Sequence, residues 1–254
     1  MCTVSVITGE HHYLLGMNRD EKLARGAARG PEDAPSPSHE GTVRLLCPRD
    51  VEEGTWVGVN EHGNSFALLN WNDVPSAQQR RLKSRSRGFV IPHAAQFRAA
   101  EQVQSAWTPE LLAGMLPFRL IGVFPAGRHI VEWRWNMREI EPLDFMWKSG
   151  DWTPRHWFSS GMSDELALKK RGEACRQAWQ EEAAGSAKWL RRLHSSHANG
   201  PGPFSICVHR DDVRTLSYTE IRYDGTEDAR ASRAKLTYFP TGRCEPSPAM
   251  ESFL

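Results

Sequence analysis

The chain has 254 residues, a formal net charge of +1 and 39% hydrophobic residues, with a mean hydropathy of −0.56. A nearly neutral chain has no global electrostatic attraction to nucleic acids, membranes or acidic substrates, and no window approaches the roughly 18 apolar residues of a membrane-spanning helix. The length suits one large domain or two small ones, and we predict a single domain over residues 1–254.

The cysteine content argues against a disulfide framework and against a metal site. The number of cysteines is odd and no pair has a metal-ligand spacing such as CxxC; they are Cys2, Cys47, Cys175, Cys207 and Cys244. This usage is typical of a reducing compartment, and the first residues lack the basic segment of a secretory signal. We therefore expect a cytoplasmic protein without a metal ion.

Two features of the composition concern partners. Ten tryptophans are many for this length, and they indicate either a Trp-rich core or a large pocket lined by aromatic side chains. The basic stretch 77–87 lacks interleaved aromatic residues, so we interpret it as a solvated loop and expect no nucleic-acid partner.

The chain begins with a predicted β-hairpin. Two short apolar runs, residues 2–7 and 13–18, flank a polar loop that contains glycine, which is the pattern of two paired strands. Antiparallel pairing about this loop would bring Cys2 beside Asn18 and Arg19.

Cys2 becomes the N-terminal residue if the initiator Met1 is removed, and the small side chain of Cys2 permits that removal. The residue then carries a thiol with a reference pKa of about 8.5 and a free α-amine with one of about 7.7–8.0. A terminal amine can activate a neighbouring nucleophile as its base, and a cationic Arg19 nearby would favour the thiolate. The simpler interpretation is a small buried hydrophobe on one strand face with Val4 and Val6.

The next segments alternate between loops and strands. The Gly- and Pro-rich residues 22–40 predict a surface loop. A weak alternation predicts a strand at 43–47, and a second hairpin is predicted from 55–59 and 65–71.

Asn70 closes the second strand of that hairpin. A side-chain amide at a strand end can stabilise the negative charge that develops on an attacked carbonyl oxygen. Alternatively, Asn70 only begins the turn over residues 70–73.

The remainder predicts a mixture of helices and strands. Helices are predicted at 89–107, 109–115, 163–183 and 187–194. Further strands are predicted at 118–124, 129–135, 140–147, 204–209, 214–223 and 235–239, with an irregular tail from residue 242. Pro142 near the start of its strand would confine that strand to a sheet edge.

Three strings carry a family resemblance. Met-Cys-Thr-Val at 1–4, Asn-Arg-Asp-Glu at 18–21 and Gly-Thr-Trp-Val-Gly-Val-Asn at 54–60 resemble the NRDE family, which includes the transport and Golgi organisation 2 proteins. The start also resembles the choloylglycine hydrolase and penicillin V acylase group. The resemblance is dense over about the first seventy residues. It implies an α+β fold of the N-terminal nucleophile hydrolase type, an αββα sandwich with two antiparallel sheets between layers of helices.

The resemblance also implies roles for individual residues. Cys2 would be the nucleophile and Asn70 an oxyanion donor, while Arg19 would stabilise the thiolate and Asp20 would hold the α-amine. Asn18 would contact the substrate.

The sequence departs from the family at two positions. Ser160 stands where the family has an Asn, and a hydroxyl lacks the fixed geometry of an amide donor. Leu216 stands where the family has an Arg. Arg214 has the same strand parity as Leu216 and would compensate for that loss, so we add Ser160 and Arg214 to the predicted substrate-binding residues.

These observations lead to a functional hypothesis with two alternatives. The first hypothesis is an N-terminal cysteine hydrolase that cleaves an amide or acyl bond of a small, non-peptide substrate without a cofactor. The changes at Ser160 and Leu216 favour a non-catalytic binding or carrier protein for haem or lipid on the same scaffold, although no motif selects a haem ligand. A purely structural homologue is the third interpretation.

Overall fold

Two antiparallel β-sheets, stacked face to face, form the centre of the computed structural model. In chain order the strands are β1 (Cys2–Thr8), β2 (His12–Lys22), β3 (Arg29–Ser38), β4 (Gly41–Arg49), β5 (Val57–Asn60), β6 (Ser65–Asn70), β7 (Phe118–Phe124), β8 (His129–Trp135), β9 (Ile140–Met146), β10 (Arg155–Ser159), β11 (Val213–Asp224), β12 (Arg233–Phe239) and β13 (Met250–Phe253). The structure describes residues 2–38, 41–74, 85–148, 152–198, 200–226, 233–242, 244–245 and 247–254. Most of the basic stretch 77–87 therefore lies outside the described residues.

The helices are shorter and lie outside the sheets. They are α1 (Val90–Ala94), α2 (Ala100–Ala106), α3 (Pro109–Leu112), α4 (Asp164–Ala178) and α5 (Ala187–His194). The side-chain oxygens of Ser163 and Ser186 accept hydrogen bonds from backbone N–H groups in the first turns of α4 and α5. These serine caps satisfy donors that have no partner within the helix, which explains where both helices begin.

The six-stranded sheet has the order β10-β1-β2-β11-β12-β13, and the seven-stranded sheet has the order β3-β4-β5-β6-β7-β8-β9. In the smaller sheet, Cys2 pairs with Arg19 of β2 on one side and with Ser159 of β10 on the other. The predicted register of the first hairpin is therefore confirmed.

Side chains alternate between the two faces of each strand, as a pleated strand requires. On β1, Cys2, Val4 and Val6 point into the core between the sheets, whereas Ile7 packs outside with the helices. The layer between the sheets is built mainly from aliphatic residues, which include Leu15, Met17, Val57, Val59, Leu69, Ile121 and Val123.

Helices cover both outer faces. Helices α1–α3 pack on the larger sheet around Trp107 and Trp133, and α4 and α5 pack on the smaller sheet around Trp189 and Leu190. The predicted four-layer αββα arrangement is thus confirmed. Most of the tryptophans are buried in the core; they are Trp56, Trp107, Trp133, Trp135, Trp147, Trp157 and Trp189.

A buried polar bridge joins the two sheets beside β10. Glu132 on β8 accepts a hydrogen bond of 3.0 Å from the Trp157 indole nitrogen on β10 and one of 2.9 Å from Arg134. Arg119 on β7 donates to the carbonyl oxygen of Phe158. Because carboxylates are costly to bury without partners, this arrangement fixes the edge strand β10 against the larger sheet.

Two predictions for the first half of the chain were wrong. The predicted loop 22–40 contains strand β3, whose prolines are tolerated because β3 is an edge strand of the larger sheet. The predicted helix 89–107 is divided into α1 and α2, because Ala99 is extended and its backbone N–H bonds to the side chain of Gln102.

Three further predictions failed in the second half. Helix α4 ends at Ala178 instead of reaching residue 183. The segment 204–209 is a loop, because its backbone donors are used locally: Cys207 donates to Ser196, and His209 donates to Gly202. The tail contains strand β13, which pairs with β12.

Among the described residues, no helix combines the length and the apolar character that crossing a membrane requires.

Candidate active site

Cys2 lies at the start of a central strand and lines a cavity of about 310 Å³. The flanking strands β2 and β10 hold its backbone on both sides, and the backbone N–H of Asp20 donates a hydrogen bond to its sulfur. Burial raises the pKa of the Cys2 thiol above its ordinary value. The thiol is therefore not ionised in advance, and its reaction would require a base.

Arg19 lines the same cavity from β2. Its guanidinium carbon lies 4.3 Å from the centre of the Trp56 ring, a cation–π arrangement that holds a buried cation without a carboxylate. Arg19 also lines a second cavity of about 240 Å³ together with Leu216 and Tyr238. Leu216, where the sequence departs from the family, thus lies on a cavity that borders Arg19.

Asp20 is buried and is held from two directions. One carboxylate oxygen accepts a hydrogen bond of 2.6 Å from the Thr215 hydroxyl on β11, and the other lies 3.7 Å from the Arg171 guanidinium on α4. Burial raises the pKa of the Asp20 carboxyl, and Arg171 partly opposes that effect. The side chain lines the cavity next to Cys2.

The cavity is also lined by Asn70 of the larger sheet and by Arg87, which lies just before α1. Asn70 is the last residue of β6 and lines the cavity with its side chain half-buried. Arg87 donates a hydrogen bond of 3.0 Å to the carbonyl oxygen of Pro117. Burial lowers the pKa of the Arg87 guanidinium. A negative charge on the nearby Cys2 sulfur would raise that pKa.

A close approach of two backbones shapes the cavity rim. A Cβ atom on Gly88 would lie 2.9 Å from the Cα of Gly54, which is a steric clash. Glycine at position 88 therefore lets the residues that follow the basic stretch close against the segment before β5.

Three predicted substrate-binding residues do not line this cavity. Asn18 is fully buried on the outer face of the smaller sheet, where its amide nitrogen donates to the carbonyl oxygens of His194 and Ile206, each at 2.9 Å. Its position follows from strand alternation, because Arg19 takes the inner face. The amide of Asn18 thus fastens β2 to the end of α5 and to the loop after it.

Ser160 and Arg214 also lie elsewhere. The backbone N–H of Ser160 donates to Asp164 at 2.5 Å, at the start of α4. The Arg214 side chain is exposed, and the register of β11 shifts between Thr215 and Ser217. Because this bulge interrupts simple alternation, parity was not a sound basis for assigning Arg214 to the site.

Sequence reasoning missed Arg171, a fully buried residue of α4. Its guanidinium donates to the carbonyl oxygen of Cys2 at 3.3 Å and to the Thr3 hydroxyl at 3.0 Å, besides facing Asp20. One signal was available: Arg171 follows Ala167 by four positions on the apolar stripe of the helix, and a charge on such a stripe indicates a buried partner.

The chain resembles solved structures of known proteins in its fold. The C2A mutant of conjugated bile acid hydrolase from Clostridium perfringens is 12% identical, with a TM-score of 0.51, over 99% of this chain and 96% of that one. Penicillin V acylase from Agrobacterium tumefaciens is 9% identical, with a TM-score of 0.48, over 99% of this chain and 85% of that one. No curated protein matches the sequence. The chain has the fold of the N-terminal nucleophile hydrolases.

A family model matches the N-terminal part of the chain. Residues 1–124 match the family described as Transport and Golgi organisation 2. The resemblance read from the strings at 1–4 and 18–21 is therefore confirmed over that part of the chain.

Proposed function

We propose that the protein is an N-terminal cysteine hydrolase that cleaves an amide or related acyl bond of a small-molecule substrate. The observation that carries the proposal is the position of Cys2. It is the first residue of strand β1 and lines a cavity together with Arg19, Asp20 and Asn70. The conjugated bile acid hydrolase from Clostridium perfringens has the same fold, which supports a hydrolase.

The proposed reaction has two steps. The Cys2 sulfur adds to the substrate carbonyl, and the carbon–nitrogen bond then breaks, so that an amine leaves with the thiol proton and a thioester remains. Water attacks the thioester in the second step, which releases the carboxylic acid and restores the thiol. No cofactor takes part in either step.

The proton of the thiol needs an acceptor, because burial raises the pKa of the Cys2 thiol. The α-amine of Cys2 can accept it once Met1 is removed, because its reference pKa is about 7.7–8.0. With Met1 attached, the same nitrogen is a peptide N–H and has no basic lone pair. Removal of Met1 is thus a condition of the mechanism, and the rate should fall as the pH drops below about 8.

Charged groups around the sulfur would stabilise the transition state. Arg19 and Arg87 form no salt bridge with a carboxylate among the described residues, so both cations are available to an anionic intermediate or to a carboxylate of the substrate. The Asn70 amide would donate to the developing oxyanion, and such a donor is typically worth about 10²–10³ in rate.

The rival interpretation is a non-catalytic carrier of haem or lipid. About half of the residues that line the cavity are charged. Such a lining suits a small polar substrate better than an acyl chain. The two interpretations also differ in the consequence of Cys2→Ala, because a carrier would keep its ligand and has no turnover to lose.

The decisive experiment uses p-nitrophenyl acetate as an acyl donor and the intact mass of the full chain as the readout. We expect a mature chain without Met1, a stoichiometric burst of nitrophenolate, and one acetyl group on Cys2. Cys2→Ala should abolish the burst while the circular dichroism spectrum stays unchanged. Cys47→Ala, which removes another buried cysteine, should keep the burst. Retention of Met1 in an active protein, or an unchanged burst in Cys2→Ala, would refute the proposal.

A further inference from the structure

Two histidines and two cysteines converge beside strand β11, away from the Cys2 cavity. His197 follows α5, Cys207 and His209 lie in the loop before β11, and Cys244 lies between β12 and β13. One ligand atom from each side chain lies within 4.8 Å of all the others. Because the four residues come from three separate segments, their spacing gave no metal signal in the sequence, and the expectation of no metal site followed from that spacing alone.

The contacts among the four side chains are short. The two sulfurs lie 3.1 Å apart, and the His209 Nε2 atom lies 3.3 Å from the Cys244 sulfur and 3.8 Å from the Cys207 sulfur. The rings of His197 and His209 meet edge to face, with their centres 4.7 Å apart.

One ring nitrogen of the cluster lacks a partner among the described residues. The Nε2 atom of His197 is buried and has no hydrogen-bond partner among the described residues. A buried imidazole nitrogen without a partner is costly, and a metal ion would satisfy it.

The donor set selects the metal. Two thiolates and two imidazoles match the four-coordinate structural sites of zinc, whose bonds are about 2.3 Å to sulfur and about 2.0–2.1 Å to nitrogen. In a tetrahedron with these bonds, ligand atoms lie roughly 3.3–3.8 Å apart. The observed cluster, within 4.8 Å, would reach that geometry by side-chain shifts of about 1 Å.

We propose that His197, Cys207, His209 and Cys244 bind one Zn²⁺ ion in a structural site. Four protein ligands leave no open position for water or substrate, so the ion would not be catalytic. The two sulfurs lie close enough for one divalent cation to bind both as thiolates.

The site would stabilise the support of Asp20. Val208 lies between the ligands Cys207 and His209, and its backbone N–H donates a hydrogen bond of 2.8 Å to the Thr215 hydroxyl. The same hydroxyl donates a hydrogen bond to Asp20. Gly242 brings the Cys244 segment close to the same strand, because a Cβ there would lie 2.8 Å from the carbonyl oxygen of Thr215. Zinc would thus hold three segments without regular secondary structure together beside β11.

The test begins with metal analysis of the full-length protein, purified under reducing conditions without chelator. We expect one zinc per chain. Cys207→Ser and Cys244→Ser should each lose most of it and lower the Tm by several degrees, whereas Cys47→Ser should keep the zinc. A chelator should lower the Tm of the wild type but not that of Cys244→Ser.

A second measurement needs no variant. Replacement of the ion by Co²⁺ in the wild type should give the visible absorption of a tetrahedral site together with sulfur-to-cobalt charge-transfer bands. Absence of metal from the reduced protein, together with a Cys207–Cys244 disulfide in its intact mass after air oxidation, would overturn the proposal. So would zinc that persists in a Cys207→Ser, Cys244→Ser double variant.

Discussion

The two helix-covered faces of the molecule solve the same packing problem with different chemistry. Under α1–α3 the contact layer of the larger sheet is aromatic and aliphatic: Phe66, Trp107, Phe118, Phe124, Trp133 and Trp135 pack there. Under α4 and α5 the smaller sheet buries polar groups among its apolar contacts, which include Thr3, Ser5, Asn18, Asp20, Arg171 and His194.

The difference shows which face positions the candidate nucleophile. Buried polar groups must find partners of defined geometry, whereas apolar contacts tolerate small shifts. Arg171 reaches Cys2, Thr3 and Asp20 at once, so the polar face fixes the start of β1. A buried ion pair adds little net stability, so we infer that these groups serve geometry more than stability.

The largest effect should come from Arg171→Met on the polar face. The substitution leaves the Asp20 carboxylate buried without its cation, and breaking a buried pair in this way costs about 3–5 kcal/mol. Urea denaturation would measure the loss of stability. The acetylation rate of Cys2 should also fall, because the carbonyl oxygen of Cys2 loses a donor.

The control for that variant is Arg176→Met, at an exposed position on the same helix. It should change the free energy of unfolding by less than about 0.5 kcal/mol. An Arg171→Met protein with wild-type acetylation kinetics would show that the polar face does not position Cys2.

Trp133→Ala tests the aromatic face. The side chain is fully buried against Trp107, with ring centres 5.6 Å apart, and truncation of such a residue costs about 3–5 kcal/mol. The acetylation rate of Cys2, measured in the fraction that remains folded, should stay unchanged. A slower rate would mean that both faces position the nucleophile, and the contrast between them would fail.

Acid should weaken the polar face. The Ser5 hydroxyl lies 2.8 Å from His156 and 2.9 Å from His194, and burial lowers the pKa of these histidines to about 4 and about 3. Unfolding restores values near 6.5, so the unfolded chain takes up protons first as the pH falls. Stability that is present above about pH 6.5 should decline toward pH 4, by on the order of 2–3 kcal/mol for each histidine.

Denaturation curves from pH 8 to pH 4 would measure this decline. His194→Gln should reduce the slope, because one of the two buried groups no longer titrates. Trp133→Ala should lower the whole curve and leave its slope unchanged. An unaltered slope in His194→Gln would exclude this histidine as a source of the acid sensitivity.

The smallest effect is expected for Thr215→Val, a nearly isosteric change. Asp20 loses a donor and the Val208 N–H loses its acceptor, which costs about 1–3 kcal/mol. Thr215→Ser should recover most of that loss, because the hydroxyl is restored. If Thr215→Val kept wild-type stability in urea denaturation while Thr215→Ser lost it, packing of the methyl group and not hydrogen bonding would account for the role of Thr215.

The sequence was a good guide wherever the relevant contacts are local. The first hairpin was predicted with its register, because the loop is short and the period of two fixes which side chains share a face. Asn70 was correctly located at the end of β6 for the same reason. Local patterns failed where the partners are distant: the prolines of β3 indicated a loop until the edge of a sheet accommodated them.

The sequence by itself determined the strands of the first hairpin and the neighbourhood of Cys2, since the alternation of apolar residues and a short loop leave little freedom there. Only the tertiary structure decided which polar side chains meet. Arg171 reaches Asp20, and His197 meets Cys244, because helices and loops from the second half of the chain pack onto the smaller sheet. No local pattern encodes such a meeting, because it depends on how all the layers are stacked.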